Sequence, residues 1–180
     1  MNDRFQAYPR GPRTTALLAK YDLAVSERRP SLFVMLSVRL APSQNEVEFG
    51  NESLVGEWAS FLPEVLSQPQ RSPWCLYTVL LENRVVGLGG FKSKPDDNDS
   101  VELSYLTFQP ERRRGIATAI CSELISIARA ADVSKIVAHT LPEENASTAV
   151  LRANDFVFVG AVDDPDDGCV WEWSLSLNPK

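Results

Sequence analysis

Hydrophobic positions along this chain recur with two periods, and the order in which the periods alternate sets the expected architecture. Short β-branched or aromatic stretches predict strands at Leu76–Leu81, Val85–Lys92, Val101–Thr107, Lys135–Leu141, Val157–Val162 and Val170–Leu175. A helical period takes over at Ile116, where Ile116, Ala119, Ile120, Leu124, Ile127, Ala128 and Ala131 fall on one stripe. A shorter helix is expected after Asn145, its cap, with Ala146, Ala149, Val150 and Ala153 on the apolar side. Upstream, Leu54, Val55, Trp58, Phe61, Leu62, Val65 and Leu66 form another apolar face behind Asn51 or Ser53 as cap, kinked or split at Pro63. Residues 1–50 carry the weakest pattern. Phe5–Tyr8 reads as a short strand, Thr14 or Thr15 as the cap of a helix through Ala24, and Leu32–Leu40 as either a strand or a buried helix.

The turns support this order. Glu82-Asn83-Arg84 fits a hairpin, Pro110 ends a strand because it has no N–H, and Pro165-Asp-Asp-Gly168 turns the final hairpin. Ala41-Pro-Ser-Gln-Asn45 also reads as a turn. Gly87, Gly89 and Gly90 lack the spacing and following helix of a dinucleotide fingerprint, so they read as strand glycines where neighbours approach closely. Strands on both sides of a strand–helix–strand crossover predict an α/β (α+β) fold in one domain over residues 1–180.

The stretch with the most chemistry is Val101–Ile120. A strand is followed by a basic, glycine-containing turn, Arg112-Arg-Arg-Gly115, and then by a helix. The first helical turn has unpaired N–H groups and about half a positive charge from the aligned peptide dipoles, so it suits an anionic phosphate. Composition adds little: 44% hydrophobic and 23% charged residues are those of an ordinary globular protein. The formal net charge of −6 argues against a nucleic-acid partner and is compatible with a cationic amine. No apolar run reaches the roughly 20 residues that span a bilayer, and the first residues lack the core of a signal peptide, so no membrane partner is expected. Three scattered cysteines suggest neither a disulfide framework nor a zinc site; no metal is expected, and a reducing cytoplasm is the default.

Arg112, Gly115 and Ala117 resemble the acyl-CoA loop of the GNAT N-acetyltransferase superfamily. A second resemblance, to its ribosomal-protein alanine acetyltransferase-like branch, rests on Asn145, Ser147, Leu151 and Phe156; Asp155 stands where that branch usually has glycine. Aspartate tolerates the left-handed conformation better than most residues, so the turn is expected to survive. The resemblance implies a mixed, centrally splayed sheet of about six to seven strands flanked by helices. It implies acetyl-CoA as cosubstrate, with its pyrophosphate on the N–H groups of Arg113, Arg114, Gly115, Ile116, Ala117 and Thr118. Leu106, Thr107 and Phe108 would pair their backbone with the pantetheine, and Asn145 would bond the same arm. The acceptor would be a primary amine, on a protein N-terminus or a small molecule. Glu102 would serve as base, directly or through water, and Ser147 or Tyr105 would protonate the leaving thiolate. His139, the only histidine, reads as a packed or surface residue of a strand. By analogy, a homodimer would form through the final strands. The alternative function is a sensor or scaffold that binds acyl-CoA without turnover.

Overall fold

The computed structural model describes residues 38–42, 71–165 and 167–177. Seven strands form one sheet: β1 (Arg39–Pro42), β2 (Leu76–Leu81), β3 (Arg84–Phe91), β4 (Ser100–Thr107), β5 (Lys135–Thr140), β6 (Val157–Asp164) and β7 (Gly168–Ser176), in the order β1-β2-β3-β4-β5-β7-β6. Two helices complete the described residues, α1 (Ile116–Ala130) and α2 (Ala146–Ala153). The predicted fold class is the observed one. The predicted helices over 16–24 and 51–66, the strand at Phe5–Tyr8 and most of Leu32–Leu40 lie outside the described residues. Pro42, predicted in a turn, instead closes β1, which pairs antiparallel with β2.

Local chemistry explains most boundaries. Glu82 and Asn83 both take positive φ, 50° and 63°, and join β2 to β3 by a two-residue turn whose twist suits a hairpin. Both helices end on an aspartate with left-handed φ, Asp132 at 61° and Asp155 at 64°. After α2, Phe156 N–H donates to Leu151 O (3.0 Å) and Asp155 N–H to Arg152 O (3.1 Å), the bond pair that satisfies a helix's last carbonyls. Val133 and Asp132 repeat it after α1, bonding Ala128 O and Arg129 O. Asp155 therefore does the work of the missing glycine.

The core lies between α1 and the sheet. Ile116, Ile120, Cys121, Leu124, Ile125 and Ala128 are the buried residues of α1. The buried stripe is thus turned slightly from the predicted one: Ala119 and Ile127 border it half-buried, and Ala131, exposed, caps the helix. Gly89 lets α1 settle onto β3, since a Cβ there would sit 2.7 Å from Ile120 Cγ2. On the other side of the sheet's centre, Trp173 is fully buried and donates its indole N–H to Thr140 Oγ1 at 3.1 Å.

The pairing of β4 with β5 positions the candidate site. β4 and β5 are joined by the α1 crossover and run parallel. Their pairing covers only Ser100–Lys135, Val101–Ile136 and Glu102–Val137. Beyond it, β4 stays with β3 as far as Thr107, and β5 stays with β7 as far as Thr140. The strands diverge, and a wedge opens at their carboxyl ends, where open sheets place ligands.

Candidate active site

The phosphate end of the wedge is the turn from β4 into α1. Phe108 leads into a short 3-10 turn, Gln109–Glu111; Arg113 then takes φ 62° and Gly115, the N-cap of α1, φ 77°. No side chain caps the helix. Among the described residues, the N–H groups of Gly115, Ile116, Ala117 and Thr118 have no partner, the first helical bond being Ala119 N–H to Gly115 O (3.1 Å). A Cβ at Gly115 would meet nothing within 4 Å, so the approach to these four donors is open. Such a cradle fits a diphosphate.

Basic side chains frame it unequally. Arg113 is exposed. Arg114 pairs through Nη1 with the buried Glu111, which also receives Arg84 Nη1 at 2.9 Å. Arg112 donates Nε–H to Thr107 O at 3.2 Å. Glu111 thus ties the turn to β3. Glu111→Gln is expected to cost about 1 kcal/mol and lower Tm by about 2–4 °C, a small effect because both arginines are half-exposed. An unchanged melting curve would mean that the pairs contribute nothing.

The backbone phase of β4 decides which groups face the wedge. Lys92 N–H donates to Glu102 O (2.8 Å) and Phe108 N–H to Val86 O (2.9 Å). With Leu106 opposite Leu88, the alternation turns the backbone of Glu102, Ser104, Leu106 and Phe108 toward β3. Leu103, Tyr105 and Thr107 turn theirs toward the gap. The expectation that Leu106 and Phe108 pair with a pantetheine arm is therefore corrected: their N–H groups lie in the ladder with β3, and only Thr107 of the three faces outward. The Thr107 hydroxyl is buried without a partner among the described residues.

The cleft between the strands is lined by Lys92, Glu102, Tyr105, Thr140 and Ser147, and by His139. Across its floor runs a charged row contributed by β4, β5, β7 and Lys92, the residue that follows β3. Glu102 Oε1 receives both Lys92 Nζ and His139 Nδ1, the latter at 2.9 Å, and His139 Nε2 lies 3.5 Å from Glu172 Oε2. Burial pushes the Glu102 carboxyl up, but the bond from His139 and the charge of Lys92 outweigh it and hold the group below the usual carboxylate range. Burial pulls the His139 imidazole down, yet Glu102, helped by Glu172, lifts it above its ordinary value against the opposing charge of Lys92.

The other predicted residues fall as follows. Tyr105 donates its hydroxyl to Ser147 O at 3.3 Å across the gap, which brings both into the cleft. Asn145 heads α2: its Oδ1 accepts Thr148 N–H (3.0 Å), and its own N–H donates to Thr148 Oγ1 (3.1 Å). That capping box occupies the carbonyl oxygen, and Asn145 is not among the cleft-lining residues. Cys121 is fully buried, and burial pushes its thiol to about 12, so it offers no thiolate for covalent chemistry. Lys92 and His139 were missed by the sequence reading. The available signal was that the only histidine lies on the strand expected to border the gap.

The fold has counterparts. The acetyltransferase (GNAT) domain family matches residues 37–157, more than half of the chain. RimL, the ribosomal L7/L12 alpha-N-protein acetyltransferase, solved with coenzyme A, shares the fold with TM-score 0.51 and 21% identity, over 56% of this chain and 60% of that one. The microcin C7 self-immunity acetyltransferase MccE, solved with acetyl-CoA and AMP, does so with TM-score 0.57 and 16% identity, over 68% and 71%. For a ribosomal-protein-alanine N-acetyltransferase from Brucella melitensis the values are 0.50 and 23%, over 56% and 67%. At these identities the likeness is one of fold. No curated protein matches the chain significantly by sequence. Taken with the open helix N-terminus and the splayed parallel strands, the match over residues 37–157 means that this chain belongs to the GNAT acetyltransferase family.

Proposed function

We propose that the protein transfers an acetyl group from acetyl-CoA directly to a primary amine, on a protein N-terminus or a small molecule. The observation that carries this reading is the set of four unpartnered N–H groups, Gly115 to Thr118, at the mouth of the wedge between β4 and β5. These donors would hold the coenzyme's diphosphate, with Arg113 and Arg114 adding charge and the Arg113 N–H at the edge of the cradle. The outward edge of β4 at Leu103, Tyr105 and Thr107 would bond the pantetheine as an added strand does, and Asn145 would approach the same arm from α2. The bound coenzyme supplies an activated acetyl thioester.

The residues of the chain would then orient the amine and handle protons. Tyr105 and Ser147, in contact across the gap, would supply the proton that the departing thiolate needs. Glu102 is the carboxylate at the deep end, where β4 and β5 part. The Lys92 cation and the hydrogen bond from His139 favour its ionised form, which makes it an anchor for neighbouring groups more than an acceptor of protons.

The test uses the whole chain. Coenzyme A is expected to raise Tm, and acetyl-CoA is expected to release thiol with at least one amine from a panel of peptides with N-terminal alanine or serine, spermidine and lysine. A thermal shift without thiol release for any amine would leave a sensor or scaffold. No shift at all would remove the coenzyme from the account.

A further inference from the structure

We propose that His139 takes the proton from the attacking amine, while Glu102 positions its ring and Glu172 faces the charge that it gains. This rests on the acetyl-transfer reading.

The geometry of one side chain carries the proposal. After Val137, β5 leaves β4, and two residues later His139 reaches back across the gap to Glu102. Its Nδ1 is 2.9 Å from Glu102 Oε1. An ionised carboxylate only accepts, so Nδ1 carries the hydrogen and the neutral ring keeps its lone pair on Nε2. Nε2 stands 3.5 Å from Glu172 Oε2, at the long limit of a hydrogen bond, so Nε2 is the nitrogen on which the neutral ring would take up a proton, facing that carboxylate. Once protonated, Nε2–H faces a carboxylate. Glu102 is less suited to the role, because the oxygen that points at the ring already receives both Lys92 and His139.

Other groups around the ring are accounted for. Lys92 comes from the residue after β3, Glu102 and Tyr105 from β4, and Glu172 from β7; α2 brings Ser147, and no charged side chain, to the cleft lining. Lys92 opposes protonation of the ring and the two carboxylates favour it.

An ammonium first loses one proton to become the free amine. As the amine nitrogen bonds to the acetyl carbonyl carbon, the carbon–sulfur bond breaks and its electron pair leaves with the thiolate. The nitrogen's remaining surplus proton passes to His139 Nε2 and from there to solvent; the thiolate is protonated from the Tyr105–Ser147 side.

Because the chain has a single histidine, nitrogen-15 NMR of the untagged protein reads its ring without ambiguity. The neutral ring is expected to carry its hydrogen on Nδ1, and Glu102→Gln is expected to lower its pKa. With the most active amine of the panel, kcat/KM should rise with pH through the NMR-determined pKa, since the neutral ring is the working form. His139→Gln should lose about 100-fold in kcat/KM at neutral pH, lose that acid limb, and keep wild-type affinity for coenzyme A. A hydrogen on Nε2 in the neutral ring, or a His139→Gln protein with wild-type kcat/KM and pH profile, overturns the proposal while acetyl transfer stands. If wild-type protein binds coenzyme A yet releases no thiol with any amine, the acetyl-transfer reading falls and takes this role with it.

Discussion

Gly115→Asp will leave the protein folded and weaken its binding of coenzyme A at least about 100-fold, a loss of about 2.7 kcal/mol. Two local effects on folding oppose one another. A non-glycine residue at φ 77° costs about 1–2 kcal/mol, least for aspartate and asparagine. A carboxylate at the first turn of α1 recovers about 0.3–1 kcal/mol from the helix dipole. Binding has no such compensation. The new side chain starts in open space at the N-cap of α1, and its carboxylate adds a negative charge beside the N–H groups of Gly115 to Thr118. Two like charges about 4 Å apart repel by about 4 kcal/mol at an effective dielectric constant of about 20. Calorimetric titration with coenzyme A, beside a melting curve, separates the two quantities. Undiminished affinity would mean that the diphosphate does not lie on this helix.

Gly87→Ala should instead damage the fold. A Cβ at Gly87 would lie 2.2 Å from the carbonyl oxygen of Leu106 and 3.3 Å from Thr107 Cα. The obstacle is backbone, which no rotamer change relieves, and Leu106 belongs to the ladder that holds β4 to β3. The neighbouring pairing of β2 with β3 shifts register between Val79 and Leu80, so the strand is already distorted there. A cost on the order of 3 kcal/mol is expected, with a fall in Tm of about 6–12 °C by circular dichroism. Thr107 borders the wedge, so coenzyme binding should weaken along with stability. A shift under about 2 °C would show that the strands lie farther apart than described.

Much of this was legible in the chain. The crossover helix, the hairpin around Glu82-Asn83-Arg84, the crowded glycines of β3 and the aspartate that replaces glycine after α2 each follow from residues within a few positions of one another. The basic turn into α1 was readable for the same reason, because a strand end, a glycine and a helix start are contiguous. His139 and Lys92 have neighbours in the chain that carry no sign of a site, since a histidine on a strand is most often a packed or surface residue. Their roles depend on Glu102, which lies 37 positions from His139. Leu106 and Phe108 were placed on the ligand side because nothing local reveals which alternate residues of β4 bond to β3.

By itself, then, the sequence determined the order and kind of the elements and the basic, glycine-containing turn into α1, since periodicity, capping and turn chemistry act over a few residues. Only the tertiary structure decided which backbone groups of β4 face the gap, and that Lys92, Glu102, His139 and Glu172 meet in one row. Side chains and ladder bonds in a sheet alternate with a period of two, so a slip of one residue between strands would send every one of these groups to the opposite side.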